Sequence, residues 1–265
     1  MINFCTQHKD RKIIELSGAD KAIFLQGLIT QDVKLLDSTP IVYSLMLSPQ
    51  GRFQFELFII KVDEDLWLLD VEAEHAEAIL KKLQMFKLRS AVNLHISNAW
   101  NVSVTSKLLD YGICVLDPRQ NELGYRTYQK DDFAYCAEDF ANYQNLRLIL
   151  GVPEGSKDMI MDKSIPLEWN MESLHAISWD KGCYIGQELT ARTKHVGTVR
   201  KYIIPIKFEK PGNYSKGCNL VQSGKIIGAL ASSDRNNGIA LIQSDFDKSQ
   251  KILLEAYYCY LITEI

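Results

Sequence analysis

Apolar and polar positions along this chain follow two rhythms, and each change of rhythm marks a predicted element. Residues 11–16, centred on Ile13 and Ile14, predict a short strand. Over residues 19–30, Phe24/Leu28 and Leu25/Ile29 recur four apart and predict a helix after Ser17. Residues 41–47 and 52–60 flank Ser48-Pro-Gln-Gly51, a turn signal that predicts a hairpin with Phe53, Phe55, Leu57 and Ile59 on one face. A strand over 66–71 leads into an amphipathic helix over 73–86, with Ala76, Ile79, Leu80 and Leu83 on one stripe. Alternating Val92, Leu94 and Ile96, then residues 100–104 and 113–116, read as further strands. A helix over 138–150 is stopped by Gly151 with Pro153 beyond it. Residues 151–170 are irregular and polar, and 179–196 read as a turn feeding a short helix that ends at Gly197.

After residue 201 helical periodicity disappears. Apolar runs at 202–208, 226–231, 239–242 and 252–262 are separated by Lys210-Pro-Gly-Asn213, Ser223-Gly-Lys225 and Asn236-Asn-Gly238. Short strands with turn signals about every dozen residues predict a small all-β barrel or sandwich. The expected division is therefore a mixed α+β region over 1–203 and a β-barrel over 204–265. The boundary is a change of composition without a flexible linker, so the two parts are expected to pack together.

Composition narrows the function classes. The 265 residues are 46% hydrophobic and 24% charged, with only 15 Gly and 7 Pro, which describes a globular chain able to bury a core. The longest apolar runs, such as 57–60, fall far short of the roughly 20 residues a membrane helix needs. Residues 1–16 have no apolar segment of the signal-peptide kind and are not of the transit-peptide type, so a cytoplasmic protein is expected, or a mitochondrial-matrix one if the source is eukaryotic. The net charge of −3 argues against coating nucleic acid through bulk charge. Six cysteines, at 5, 114, 136, 183, 218 and 259, show no Cys-x-x-Cys spacing, so neither a self-contained metal site nor a disulfide scaffold is expected. The five histidines lack His-x-x-x-His spacing, and no Gly-x-Ser-x-Gly, Gly-x-Gly-x-x-Gly or phosphate-binding loop occurs.

One segment departs from the average. Residues 181–201 carry five Lys or Arg against Glu188 alone, a local +4 that leaves −7 for the rest. Such an island can focus an anionic ligand or simply be a solvated helix face. Cys183, after Lys181-Gly182 and before the predicted helix, has the cationic setting that favours a thiolate; a small buried hydrophobe is the alternative, and it is the expectation for the other five cysteines. Gly182 and Gly186 would allow a tight turn or a close approach, and Glu188/Arg192 are spaced as an i, i+4 pair.

Lys181-Gly-Cys-Tyr-Ile-Gly-Gln-Glu188 resembles the signature of the YgfZ-type relatives of the glycine-cleavage T-protein, the GcvT-like superfamily. Its continuation, Leu-Thr-Ala-Arg-Thr-Lys-His-Val-Gly-Thr-Val-Arg-Lys201, is similar to the branch that includes the mitochondrial iron–sulfur assembly factor. Phe24-Leu-Gln-Gly-Leu-Ile-Thr-Gln-Asp32, Ser48-Pro-Gln-Gly-Arg52, Arg147-Leu-Ile-Leu-Gly-Val-Pro-Glu154, Pro166-Leu-Glu-Trp-Asn170 and Gly224-Lys-Ile-Ile-Gly228 agree in order.

The resemblance implies ring-like α+β subdomains around a central hole that binds tetrahydrofolate or a folate derivative, plus a C-terminal all-β barrel. It implies an accessory role in assembling or maintaining iron–sulfur clusters of four-iron enzymes, and a link to tRNA modification through such enzymes. The implied partners are an A-type scaffold protein and client enzymes; hydropathy and charge, read above, lead us to expect neither a membrane nor direct nucleic-acid binding. The implied residues are Cys183 as a thiolate shared with a partner's cluster, and Lys181, Glu168, Arg192 and Tyr184 around folate. One cysteine supplies one of the roughly four ligands such a cluster takes, so a partner must supply the others. The alternative is a folate-dependent aminomethyl- or methyltransferase. That chemistry wants a carboxylate after an Asn-Ala segment; here Leu69-Asp-Val-Glu-Ala-Glu-His75 has Asp70 where the Asn is sought, and Glu72, Glu74 and Glu77 read as solvent-facing.

Overall fold

The computed structural model describes residues 2–130, 138–255 and 257–262; Cys136 lies outside them. Along the chain come β1 (Cys5–Gln7), β2 (Arg11–Ser17), α1 (Lys21–Gln26), β3 (Ile41–Leu47), β4 (Phe53–Lys61), β5 (Leu66–Glu72), α2 (Ala76–Lys87) and β6 (Asn93–Ser97). They are followed by β7 (Asn101–Thr105), β8 (Ile113–Leu116), β9 (Tyr125–Gln129), α3 (Glu138–Ile149), a single turn α4 (Gly155–Asp158) and α5 (Gln187–His195). The remainder is β10 (Lys201–Phe208), β11 (Asn219–Gln222), β12 (Lys225–Asp234), β13 (Asn237–Gln243), β14 (Ile252–Leu254) and β15 (Tyr257–Leu261).

Three antiparallel sheets result. The first has the order β3-β4-β5-β2-β6, the second β1-β7-β9-β8, and the last six strands close a barrel in the order β10-β13-β12-β11-β14-β15. The mixed α+β region and the closed barrel match the expected architecture. β10 starts at Lys201, so residue 203 lies inside the barrel's first strand.

The five-stranded sheet is covered on both faces. Ile14, Leu57, Leu69 and Val71 pack with α1, α2 and the 3-10 turn Val33–Asp37. Ile13, Tyr43, Phe58 and Leu68 pack on the other side with the four-stranded sheet, Tyr143 of α3 and residues of the 159–184 segment. This corrects the expected one-faced alternation in β4, where Phe55, Glu56, Leu57, Phe58 and Ile59 are all buried. Ile203, Ala231 and Ile239 of the barrel belong to the second of these clusters, so the barrel is packed onto the rest of the chain as the absence of a linker signal suggested.

Charge is buried between the first two sheets. Arg11 donates to Asp70 and Glu56, both at 2.6 Å, Arg126 donates to Asp70 at 2.6 Å, and Arg119 to Asp117 at 2.8 Å. Tyr43 and Tyr128 donate to Glu56 and Asp70, each at 2.9 Å. The three guanidinium groups gather over Phe58, that of Arg126 at 3.9 Å from the ring centre. Each ion thus has several partners, the condition under which buried charge is tolerated.

The predicted 19–30 helix ends early, at Gln26. Leu28 and Ile29 are buried as the pattern required, but Gly27 closes the helix and the backbone turns away to bond residues far along the chain.

Candidate functional site

Three of the motif patches converge. The backbone after α1 runs beside the 175–186 segment and is bonded to it at nearly every step. Thr30 donates its hydroxyl to the Ala176 carbonyl at 2.6 Å and accepts the Ser178 N–H on its own carbonyl at 3.0 Å. Gln31 donates to the His175 carbonyl at 2.6 Å. Ile185 donates its N–H to the Gly27 carbonyl at 3.1 Å. Lys181 donates to the carbonyls of Ile29 and Gln31 at 2.9 and 2.8 Å.

The turn 48–51 closes the other side. Gly186 has φ 84°, and a Cβ there would lie 2.6 Å from the Ser48 carbonyl and 3.1 Å from Gly51 Cα. Glycine at 186 is therefore required twice over, by conformation and by contact. At Gly182 a Cβ would meet nothing within 4 Å, so no contact with the rest of the described chain requires a glycine there.

Cys183 is exposed at the tip of this loop, between buried Lys181 and buried Tyr184. Helix α5 begins only at Gln187, so the sulfur precedes its first turn instead of standing at its N-terminus. Cys5, Cys114 and Cys218 are half-buried and Cys259 is buried. Burial pushes the Cys259 thiol up to about 12, which leaves it inert. Among the described residues no three His, Cys, Asp or Glu side chains are grouped to hold a metal.

The other expected site residues lie on the cysteine loop, on the 3-10 turn Pro166–Trp169 and on α5, and that turn packs against α5. Burial lowers the Lys181 ammonium to about 8, with Asp32 acting the other way. Burial raises the Tyr184 phenol to about 12, and its hydroxyl has no hydrogen-bond partner. Glu168 sits half-buried in the 3-10 turn Pro166–Trp169; burial raises its carboxyl, and Lys201 and Arg52 offset part of that. Arg192 is exposed on α5, and its expected pair with Glu188 is not formed. Lys194 on the same helix instead bonds Glu172 at 2.5 Å, beside Trp179. Arg147, in the last turn of α3, is buried and bonds Glu154 at 3.1 Å and Asp158 at 2.9 Å.

Two of the three Lys181 donors are directed at carbonyls, which leaves one, and the buried Tyr184 hydroxyl is unpartnered. A second candidate donor set lies elsewhere. At the end of β5 a cavity of about 280 Å³ is lined by Lys9, Asp10, Arg11, Glu72, Ala73, Glu74, Glu154, Ser156 and Lys157. Glu72 accepts from the N–H of Ser156 at 2.9 Å and from its hydroxyl, which leaves carboxylate lone pairs for a further donor. Burial and the charge of Glu56 raise its pKa. A carboxylate suits the donor edge of a pterin, Lys9 suits a glutamate tail, and Lys157, bonded to Asp10 at 2.7 Å, would exchange that partner for the tail. At about 280 Å³ the cavity falls just below the roughly 300–1,000 Å³ of ligand pockets. Sequence reasoning missed this set because Glu72 was assigned to a solvated helix face; it lies instead in the last position of a strand.

Comparison with known proteins adds the following. No family model matches the chain. It is 36% identical over 227 residues to the mitochondrial iron–sulfur cluster assembly factor IBA57 homolog of Mycosarcoma maydis, covering 76% of this chain and 56% of that protein. It is 30% identical over 278 residues to the mouse iron–sulfur cluster assembly factor IBA57, covering 91% of this chain and 78% of that one. The human protein of that name gives 29% over 276 residues. The chain thus spans little more than half the length of its fungal relatives. Among solved structures, the glycine cleavage system aminomethyltransferase T of Bartonella henselae superposes with a TM-score of 0.75 over 97% of this chain and 84% of its own, at 14% identity, which shows the shared fold.

Proposed function

The chain belongs to the family of the iron–sulfur cluster assembly factor IBA57, and from that premise we propose that it is an accessory factor in assembling or maintaining iron–sulfur clusters of four-iron enzymes. Cys183 lends one thiolate to a cluster that is cargo shared with a partner, in our reading an A-type scaffold protein that passes it on to client enzymes. The observation that carries this reading is the placement of Cys183: the exposed cysteine among those described, on a loop whose flanks are tied down. Such clusters take about four ligands, so the remaining ones come from the partner. The relatives' names place those proteins in mitochondria, which favours the matrix over the cytoplasm for this chain.

We place folate in the cavity at the end of β5, with Glu72 facing the pterin and Lys9 and Lys157 the tail. When bound, tetrahydrofolate carries one-carbon units; this chain's contribution is to orient the pterin against a half-buried carboxylate. Aminomethyl transfer is the weaker reading, because Asp70 and Glu56 are already held by Arg11, Arg126 and Tyr43.

The deciding experiment is the activity of a four-iron enzyme in cells lacking the gene, complemented with wild type or with Cys183→Ser. Restoration by wild type alone supports the reading. An enzyme untouched by the deletion, or full rescue by the variant, overturns it.

A further inference from the structure

We propose that Lys181 is a positioning residue for Cys183: its ammonium staples the cysteine loop to the backbone at Ile29 and Gln31, fixing the thiol where a partner meets it. This rests on the reading of Cys183 given above and adds a second residue to it.

The geometry leaves the lysine little else to do. An ammonium has three donors. Two are directed at the Ile29 and Gln31 carbonyls, at 2.9 and 2.8 Å. The group also lies 5.3 Å from the centre of the Tyr184 ring, within reach of a cation–π contact. Burying a lysine freezes a side chain rich in rotamers and strips its charge of water, so these acceptors are what make the buried position tenable.

The loop is pinned on both sides of the sulfur. Upstream, Ser178 is bonded to Thr30, and Lys181 to the residues on either side of Thr30. Downstream, Tyr184 is buried and Ile185 is bonded to Gly27. Only Gly182 and Cys183 are exposed between these anchors. Both sets of anchors converge on one five-residue stretch, 27–31, so the segment that follows α1 and the cysteine loop form one unit. A ligand shared between two proteins must be held to about 0.5 Å by its supporting shell, and the staple is that shell. It also gives a use to the Phe24–Asp32 patch, which bears no chemistry of its own.

The test compares Lys181→Met, Cys183→Ser and wild type by residue-resolved amide hydrogen exchange and by rescue of the four-iron enzyme. In Lys181→Met the amides of Ser178 and Ile185 should exchange at least about tenfold faster while those of β3 and β4 keep their wild-type rates. Rescue should fall to the level of Cys183→Ser, and Cys183→Ser should show wild-type exchange. Unchanged exchange at both amides in Lys181→Met, or fast exchange with full rescue, overturns the staple. Full rescue by Cys183→Ser overturns instead the role of the thiol, so the two failures are distinct. Should Lys181→Met unfold, Lys181→Gln, which keeps a neutral donor of shorter reach, carries the same comparison.

Discussion

Arg126 of β9 donates to Asp70 of β5 at 2.6 Å, with both side chains sealed from water. The contact joins the two sheets of the α+β region. Asp70 also accepts from Arg11 and Tyr128. Burial acts to raise its carboxyl, but the two guanidinium groups outweigh that and hold it at about 2.

Asp70→Asn should therefore be costly, because it strands two buried cations. We expect a loss of about 3–5 kcal/mol in urea unfolding, the range for removing one partner of a buried pair. A loss below about 1 kcal/mol would show that Glu56 and Asp117 suffice for the arginines. The pH dependence has a definite sign. The folded pKa lies below the ordinary value of 3.8, so this stabilisation is complete above that value and disappears as pH falls through about 2. In wild type, acid should erode stability over that window, and in Asp70→Asn this component should be missing.

Gly186→Ala tests the packing of the cysteine loop on the 48–51 turn. An added methyl meets the Ser48 carbonyl at 2.6 Å and Leu47 Cβ at 2.9 Å, at a φ of 84°. The left-handed backbone alone costs roughly 1–2 kcal/mol for a residue with a Cβ. The loop and the turn must separate, so both stability and rescue should drop. A variant with unchanged unfolding and full rescue would show that the loop reaches its position without this contact.

Most strands and both long helices were legible because their cores are built on simple periods, as in Ile79 and Leu83 of α2 or the strand pair around Ser48-Pro-Gln-Gly51. What escaped were elements whose burial depends on distant partners. β9 reads Tyr-Arg-Thr-Tyr-Gln, polar by pattern, and is buried because Arg126 finds Asp70. β1 and β11, three and four residues long, carry too few positions for a period to show. At the site, the signature singles out Cys183, which is exposed, and Lys181, which is buried. It could not say that the lysine points at Ile29 and Gln31, since nothing local distinguishes a lysine that meets a ligand from one that meets a carbonyl. Glu72 was misplaced by one element: the helical pattern after it drew the boundary too early.

Folate binding separates the two candidate donor sets. Glu72→Gln keeps the shape of the side chain and removes its charge, so it should weaken tetrahydrofolate binding about tenfold or more by calorimetry, in line with loss of a charge-assisted bond. Lys157→Ala should weaken a polyglutamylated folate more than a monoglutamate. Lys181→Met should leave both affinities alone. The reverse pattern, with Lys181→Met weakening folate and Glu72→Gln leaving it unchanged, would return the pterin to the cysteine loop.

Tyr184→Phe gives the sharpest view of the loop's interior. The ring is 7% exposed and its hydroxyl has no partner, an arrangement in which the polar group opposes folding. With no ligand to receive it, removing the oxygen should stabilise the protein by about 1 kcal/mol or leave it unchanged, because a desolvated donor disappears and the ring that Lys181 faces is kept. Rescue of the four-iron enzyme and folate affinity should both stay at wild-type levels. A Phe variant that folds as well as wild type but loses folate or fails to rescue would mean that the hydroxyl meets a ligand in the working complex. The loop would then be a binding surface as well as a mount for Cys183, and urea unfolding measured beside calorimetry separates these outcomes.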